Sequence, residues 1–194
     1  MKVELASMNK GKLRELRVLF PDWDIQPFVA DYPDETGATF YENALAKARF
    51  AHGFKPEVSV MGEDSGLQVD ALDGRPGIHS ARFAGRTASD EDNVERLLRE
   101  LEGVPDGKRG ARYVSELVLL SYGEDELRGT GTLSGRIAHE PRGSGGFGYD
   151  PIFIPAGHEQ TVAELGDAWK RENSHRAQAA QVLRAEVGKH GGSV

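Results

Sequence analysis

Val58-Ser59-Val60-Met61-Gly62-Glu63-Asp64-Ser65-Gly66-Leu67 runs from an apolar segment into two adjacent carboxylates, a hydroxyl and a glycine. Val58 to Met61 predicts a buried strand, and Leu67 to Asp70 a second strand. Gly66 frees the backbone for a sharp turn between them. Adjacent carboxylates repel one another, and such a pair is tolerated when it is solvated or faces a cation. On these residues alone the stretch predicts an acidic hairpin turn. The chain on either side changes that reading.

Upstream, Val3 to Ala6 is a short strand. The polar stretch Ser7-Met8-Asn9-Lys10-Gly11-Lys12 follows, and then Leu13, Leu16, Leu19 and Phe20 at helical spacing. A polar loop between a strand and a helix aims the free N–H groups of the helix start outward, which suits an anion. Ser7 and Asn9 add hydrogen bonds and Lys12 adds charge. A plain helix cap at Asn9 with solvated lysines fits the stretch equally well. The spacing is not that of a Walker loop. Pro21 ends the helix, Asp24 to Val29 is a second strand, and Asp31 to Gly37 is an acidic loop containing Glu35. Thr39 with Glu42 makes a capping-box pattern at the head of a helix that carries Lys47. Taken singly, Glu35 and Lys47 read as surface charges.

Downstream, Pro76-Gly77 marks a turn ahead of His79, Ser80 and Arg82. Ser65 and Ser80 lack the strand–Gly-x-Ser-x-Gly–helix context of a nucleophile elbow, so a serine hydrolase triad is rejected. Ser89-Asp90-Glu91-Asp92 opens a helix with acids in its first turn, and Val94, Leu97, Leu98 and Leu101 form its core stripe. Arg112 to Ser121 and Leu127 to Ala138 are two long strands joined by a hairpin at Tyr122-Gly123-Glu124-Asp125.

Gly143-Ser144-Gly145-Gly146-Phe147-Gly148-Tyr149-Asp150-Pro151 is a second unusual loop. Its glycines let the backbone approach a ligand closely and present the Phe147 ring. That ring suits stacking on a base, worth about 1–3 kcal/mol, and equally suits packing in the core. Ile152 to Pro155 is a short strand. Ala168 to Arg176, which includes Lys170, leads into a helix from Ala177 to Val187 capped by Asn173 or Ser174. His175 and Arg176 then stand on its first turn, where a cation is disfavoured unless an electron-rich group faces it. Gly188 to Val194 reads as a frayed tail.

The totals narrow the function classes. At 194 residues the chain is one domain of ordinary size, with room for two lobes sharing a core. A net charge of −7 argues against a nucleic-acid backbone as the main partner, yet leaves room for a phosphate ligand held by a few local lysines. The absence of cysteine excludes disulfides, zinc–thiolate sites and thiol nucleophiles. Neither a signal peptide nor a run of membrane-spanning length is present, so a soluble cytoplasmic protein is expected.

Together the motifs resemble the inosine/xanthosine triphosphate pyrophosphatases. Four blocks carry the likeness in the family's order. They are Ser7 to Lys12; Glu35-Thr36-Gly37 with Glu42-Asn43-Ala44 and Lys47-Ala48-Arg49; Glu63 to Leu67 through Pro76-Gly77 to Ser80-Ala81-Arg82; and Gly145 to Pro151 with Ser174-His175-Arg176. The resemblance implies an elongated α/β fold with a central mixed sheet flanked by helices, two lobes with a cleft between them, and a homodimer. It implies Mg2+-dependent hydrolysis of ITP, dITP and XTP to the monophosphate and pyrophosphate.

By the same resemblance Asp64 is the general base, and Glu35 is the magnesium ligand with Asp64 beside it. Ser7, Asn9, Lys12, Lys47 and Lys170 hold the triphosphate, and Ser65 contacts the substrate. Phe147 stacks on the base, with Gly148 and Tyr149 in the same substrate-binding loop, and Asp150, His175 and Arg176 read the base edge. Glu63 stands where the family often has Asp, and His79 where an aromatic or other residue often stands.

The chemistry agrees with this. Magnesium and lysines neutralise the charge that builds on a triphosphate, and hydrolysis then needs a positioned water and a carboxylate to take its proton. Two other readings stay open: a pyrophosphatase for modified pyrimidine or methylated nucleotides, and a nucleotide-binding or ribosome-associated module without catalysis. The latter has no need of Glu35 and Asp64 around a metal.

Overall fold

A computed structural model describes residues 1–121 and 126–190, so the expected hairpin turn at Tyr122 to Asp125 lies outside the described residues. Within them the order is β1 (Lys2–Ala6), α1 (Lys10–Leu19), β2 (Asp24–Pro27), α2 (Phe40–His52), β3 (Ser59–Val69) and α3 (Asp90–Glu100). β4 (Gly110–Leu120), β5 (Glu126–Ile137), β6 (Phe153–Pro155), α4 (Val162–Asn173) and α5 (His175–Lys189) follow. The strands form one sheet in the order β2-β1-β3-β4-β5-β6. β1 runs parallel to β2 and β3, while β5 and β6 are antiparallel, so the sheet is mixed and the fold is α/β. The register sets Leu5 beside Met61 and Ala6 beside Gly62. The Ser7 to Lys12 connection therefore leaves β1 level with the acidic part of β3.

The chain divides into two compact units, Met1–Asp64 with Ser115–Gly131 and His175–Val194, and Ser65–Val114 with Thr132–Ser174. In the first, α1 and α5 cover one face of the sheet through a core of Val3, Leu5, Leu16, Phe20, Met61, Leu117, Leu119 and Leu183. α2 covers the opposite face, where Ala44 and Ala48 meet Val118 and Leu120, and Ala51 meets Ala6 and Val60. Small residues set these approaches. A Cβ at Gly62 would overlap the Ala44 carbonyl of α2, and one at Gly129 or Gly131 would overlap backbone of α5. In the second unit a separate core joins Leu67, Val69, Phe83, Leu97, Leu101, Tyr113 and Phe153.

The expected acidic turn is not a turn. β3 continues unbroken through Gly62 to Gly66. Successive side chains of a strand point to opposite faces, so Glu63 shares the α1/α5 face with Met61, and Asp64 the α2 face with Val60. Separation onto two faces relieves the repulsion that a turn would have left to solvent. Other boundaries also differ. α1 begins at Lys10, because the Asn9 side chain accepts a hydrogen bond from the Lys12 N–H and caps it. At α2, Thr39 Oγ1 accepts from the Glu42 N–H, but the Glu42 carboxylate turns back to the Ala38 N–H, completing only half of the expected capping box. α4 falls where no helix is expected from the sequence. Thr161 and Glu164 form a full capping box at its start, and it breaks at Gly166, where φ is 79°. Of the expected tail from Gly188 to Val194, Gly188 and Lys189 belong to α5, and residues 191–194 lie outside the described residues.

Candidate active site

The first unit gathers a cluster of charges around β3. Asp64 is buried and held at both oxygens. Lys47 Nζ lies 3.2 Å from Oδ1, and Asn43 Nδ2 donates to Oδ2 across 3.2 Å. Lys47 Nζ also donates to Glu35 Oε1 at 2.9 Å, so one ammonium joins the acid of the β2–α2 connection to the acid of β3. α2 does this because Asn43 and Lys47 are one turn apart and point the same way. The solvated helix face that Lys47 suggests in isolation is therefore replaced by a largely buried ion pair.

On the other face Glu63 is fully buried. Lys12 Nζ lies 2.6 Å from its Oε2, and Arg176 Nε and Nη2 donate to its Oε1 at 3.2 and 3.1 Å. Arg176 Nη1 donates to Glu15 of α1. The electron-rich groups that face Arg176 at the head of α5 thus include two protein carboxylates. His175 precedes it and is buried. Ser7 Oγ accepts from the Asn9 N–H at 3.3 Å, which closes the loop ahead of α1.

The electrostatics follow from burial. Desolvation pushes the Asp64 carboxyl up; Lys47 and Lys12 oppose this, Glu35 and Glu63 reinforce it, and the net direction is upward. Desolvation would also raise Glu63, but Lys12, Arg176 and Lys47 outweigh it and hold the carboxyl well below the usual range. Burial favours loss of the Lys47 proton, yet Asp64, Glu35 and Glu63 keep the ammonium charged and raise its pKa. Four carboxylates, Glu15, Glu35, Glu63 and Asp64, are here interleaved with the cations of Lys12, Lys47 and Arg176.

The second unit holds another cluster. Asp150 is buried; its Oδ2 accepts from Lys170 Nζ at 2.7 Å and from the Phe147 N–H at 3.0 Å, and its Oδ1 from the Tyr113 hydroxyl at 3.4 Å. Lys170 Nζ lies 4.8 Å from the centroid of the half-buried Phe147 ring. The Gly148 N–H donates to Asp90 at 2.6 Å, and the Tyr149 hydroxyl to the Ser80 carbonyl at 2.9 Å. Ser80 Oγ accepts from the Leu67 N–H and donates to the Gly77 carbonyl, a scaffold role. Gly146 has φ 79°, and a Cβ there would collide with the Asp150 carboxylate, so this glycine is required by close approach. Ser65 is half-buried on β3, and His79 is exposed.

The structure thus brings Ser7, Asn9, Lys12, Glu35, Lys47, Asp64, His175 and Arg176 into the first unit. It brings Ser65, Phe147, Gly148, Tyr149, Asp150 and Lys170 into the second. Lys170 joins the aromatic loop rather than the other lysines. Sequence assigns no site role to Asn43, Glu15 or Asp90: Asn43 enters only within the Glu42-Asn43-Ala44 block and Asp90 only as a helix-opening acid. Asn43 alone had a signal, its position one turn before Lys47.

Comparison with known proteins points the same way. The profile described as the Ham1 family matches residues 3–186. A Methylococcus capsulatus protein named dITP/XTP pyrophosphatase is 47% identical over 195 residues, covering 96% of each chain. A Shouchella clausii protein of the same name is 43% identical over 188 residues, covering 94% of each. The structure of a Staphylococcus aureus Ham1 protein aligns with a TM-score of 0.86 at 38% identity, covering 98% of this chain and all of that one.

Proposed function

Because the chain belongs to the Ham1 family, we propose that it is a magnesium-dependent pyrophosphatase that cleaves ITP, dITP and XTP to the monophosphate and pyrophosphate. The observation that carries this reading is the ammonium of Lys47 bridging Glu35 and Asp64. Two hard oxygen donors around one cationic position fit Mg2+. That ion is commonly held by one or two carboxylates plus phosphate oxygens and water. Among the described residues no group of three His, Cys, Asp or Glu side chains is arranged to hold a metal alone, which suits an ion that shares its ligands with the substrate. When bound, Mg2+ supplies Lewis-acid charge against the phosphate oxygens.

Glu35 and Asp64 hold the metal. Asp64 also takes the proton of an attacking water, because its two oxygens are fixed by Lys47 and Asn43 and each keeps a further lone pair. The water oxygen adds at the α–β anhydride, the bridging P–O bond breaks, and pyrophosphate leaves. Lys12 and Lys47 neutralise the charge that develops, with Ser7 and the Asn9-capped start of α1 as anion donors. Phe147 stacks on the base. Lys170, beside that ring, is assigned here to the 6-carbonyl of hypoxanthine or xanthine rather than to the phosphates. Adenine presents an amino group there and leaves the donor unmatched. Ser65, Gly148, Tyr149 and Asp150 shape the same part of the site, and His175 and Arg176 complete the binding set. The enzyme is read as a cytoplasmic homodimer; sedimentation of the purified chain should give a dimer, and a monomer overturns that part of the reading.

Pyrophosphate release from ITP, XTP, GTP and ATP, with and without magnesium, tests the proposal. Turnover of ITP and XTP is expected only with the metal, and Asp64→Asn is expected to abolish it. Release of single phosphates, or full activity of Asp64→Asn, overturns it.

A further inference from the structure

Asn43 is 1% exposed, deep in the first unit, on the face of α2 that meets β3. A carboxamide buried so completely must spend its donors and acceptor within the protein. Its Oδ1 accepts the Gly37 N–H at 2.9 Å and its Nδ2 donates to Asp64 Oδ2 at 3.2 Å. The backbone N–H of Gly37 can only donate, so the atom that meets it is the oxygen, and the amide nitrogen necessarily faces Asp64.

From these contacts we propose that Asn43 is a positioning residue, one side chain that sets both the orientation of the Asp64 carboxylate and the path of the loop carrying Glu35; this rests on the pyrophosphatase reading above. Lys47 occupies one oxygen of Asp64 and Asn43 the other, so the carboxylate plane is fixed at both ends. The tie to Gly37 lies two residues from Glu35, which orders the chain that presents that acid. Gly37 is glycine for the same reason, since a Cβ there would sit 2.5 Å from Asn43 Oδ1 and 2.8 Å from Glu42 Cβ. The bond can therefore be broken from either end.

Three variants test this in the full chain: Asn43→Ala, Asn43→Asp and Gly37→Ala, with Asp64→Asn as the reference for loss of the base. Asn43→Asp keeps the shape and the acceptor for Gly37 but removes the donor to Asp64. Both Asn43 variants are expected to lower kcat by about 10–100-fold, as displacement of a catalytic group does, with KM for ITP changed by less than about 3-fold. Gly37→Ala is expected to lower kcat, and Asn43→Ala with Gly37→Ala to be no worse than the poorer single variant, because both break one tie. Asn43 side-chain amide signals in a 15N spectrum should be protected from exchange in the parent and exchange faster in Asp64→Ala, which removes the acceptor, and the Gly37 amide signal should move in Asn43→Ala.

A role in packing alone predicts that Asn43→Asp restores what Asn43→Ala loses. That result, additive effects in the double variant, or Asn43 signals indifferent to Asp64, overturns the proposal while parental turnover still supports the pyrophosphatase reading. A parent that releases no pyrophosphate, or an active Asp64→Asn, overturns that reading and this inference with it.

Discussion

Glu63 and Asp64 are neighbours with opposite electrostatic fates. The folded chain holds the Glu63 carboxyl below its ordinary value of 4.5, so the folded state binds fewer protons there than the unfolded one. The stability from Glu63 is complete above that ordinary value and is lost as pH falls through the depressed one. Glu63→Gln takes the buried carboxylate charge away from Lys12 and Arg176, and should cost about 3–5 kcal/mol at neutral pH. Urea denaturation of parent and variant at a series of pH values reads this: the gap should be wide at neutral pH and narrow in acid, and a gap independent of pH refutes it. Asp64 runs the other way. Its carboxyl is raised, so its charged form opposes folding above the ordinary value, and Asp64→Asn should be inactive yet as stable as the parent or more so in the same denaturation. The sequence made Asp64 legible through its motif. The role of Glu63 was not, because its partner Arg176 lies 113 residues away.

β3 shows how an element organises these residues. A composition that reads as strand, acidic turn and strand becomes one continuous strand because α2 supplies cations to one face and α1 with α5 to the other. No local propensity carries that information. Gly62 is a further consequence of the same packing. The Ala44 carbonyl and the Ala48 nitrogen lie where its Cβ would fall, so α2 rests directly on the strand backbone. Gly62→Ala must push α2 outward, with Asn43 and Lys47. Overpacking of this kind typically costs about 1–3 kcal/mol, and kcat should fall with it as the two side chains leave Asp64. Unchanged melting temperature and turnover would show that α2 does not need this approach. α1, α2 and α3 were legible from apolar spacing and cap residues, and β1, β4 and β5 from apolar runs. α4 was missed because Gly166 interrupts its pattern, although the Thr161 to Glu164 capping box stood in the sequence.

Across the molecule, the two halves of the substrate are assigned to different units. The residues proposed for the polyphosphate, Lys12, Glu35, Lys47 and Asp64, lie in the first, and those proposed for the base, Phe147 and Lys170, in the second. The blocks were each legible because glycine, lysine and acid spacing is local. Their sorting was not, and Lys170 changed place for that reason: its partners are Asp150 and Phe147, brought to it by tertiary packing. Such a division makes the two sets of residues separable in kinetics. Phe147→Ala removes a stacking surface worth about 1–3 kcal/mol, which corresponds to a loss of about 5–150-fold in kcat/KM for ITP and XTP. The phosphate chemistry is untouched by that change, so metal-dependent cleavage of inorganic tripolyphosphate, which has no base, should be unaltered. Lys12→Ala should instead lower cleavage of both substrates alike, because it acts on the part they share. Parallel kcat/KM measurements on ITP and tripolyphosphate with the two variants decide the matter: equal losses on both substrates for Phe147→Ala would place the ring in the fold and leave the base without a shelf.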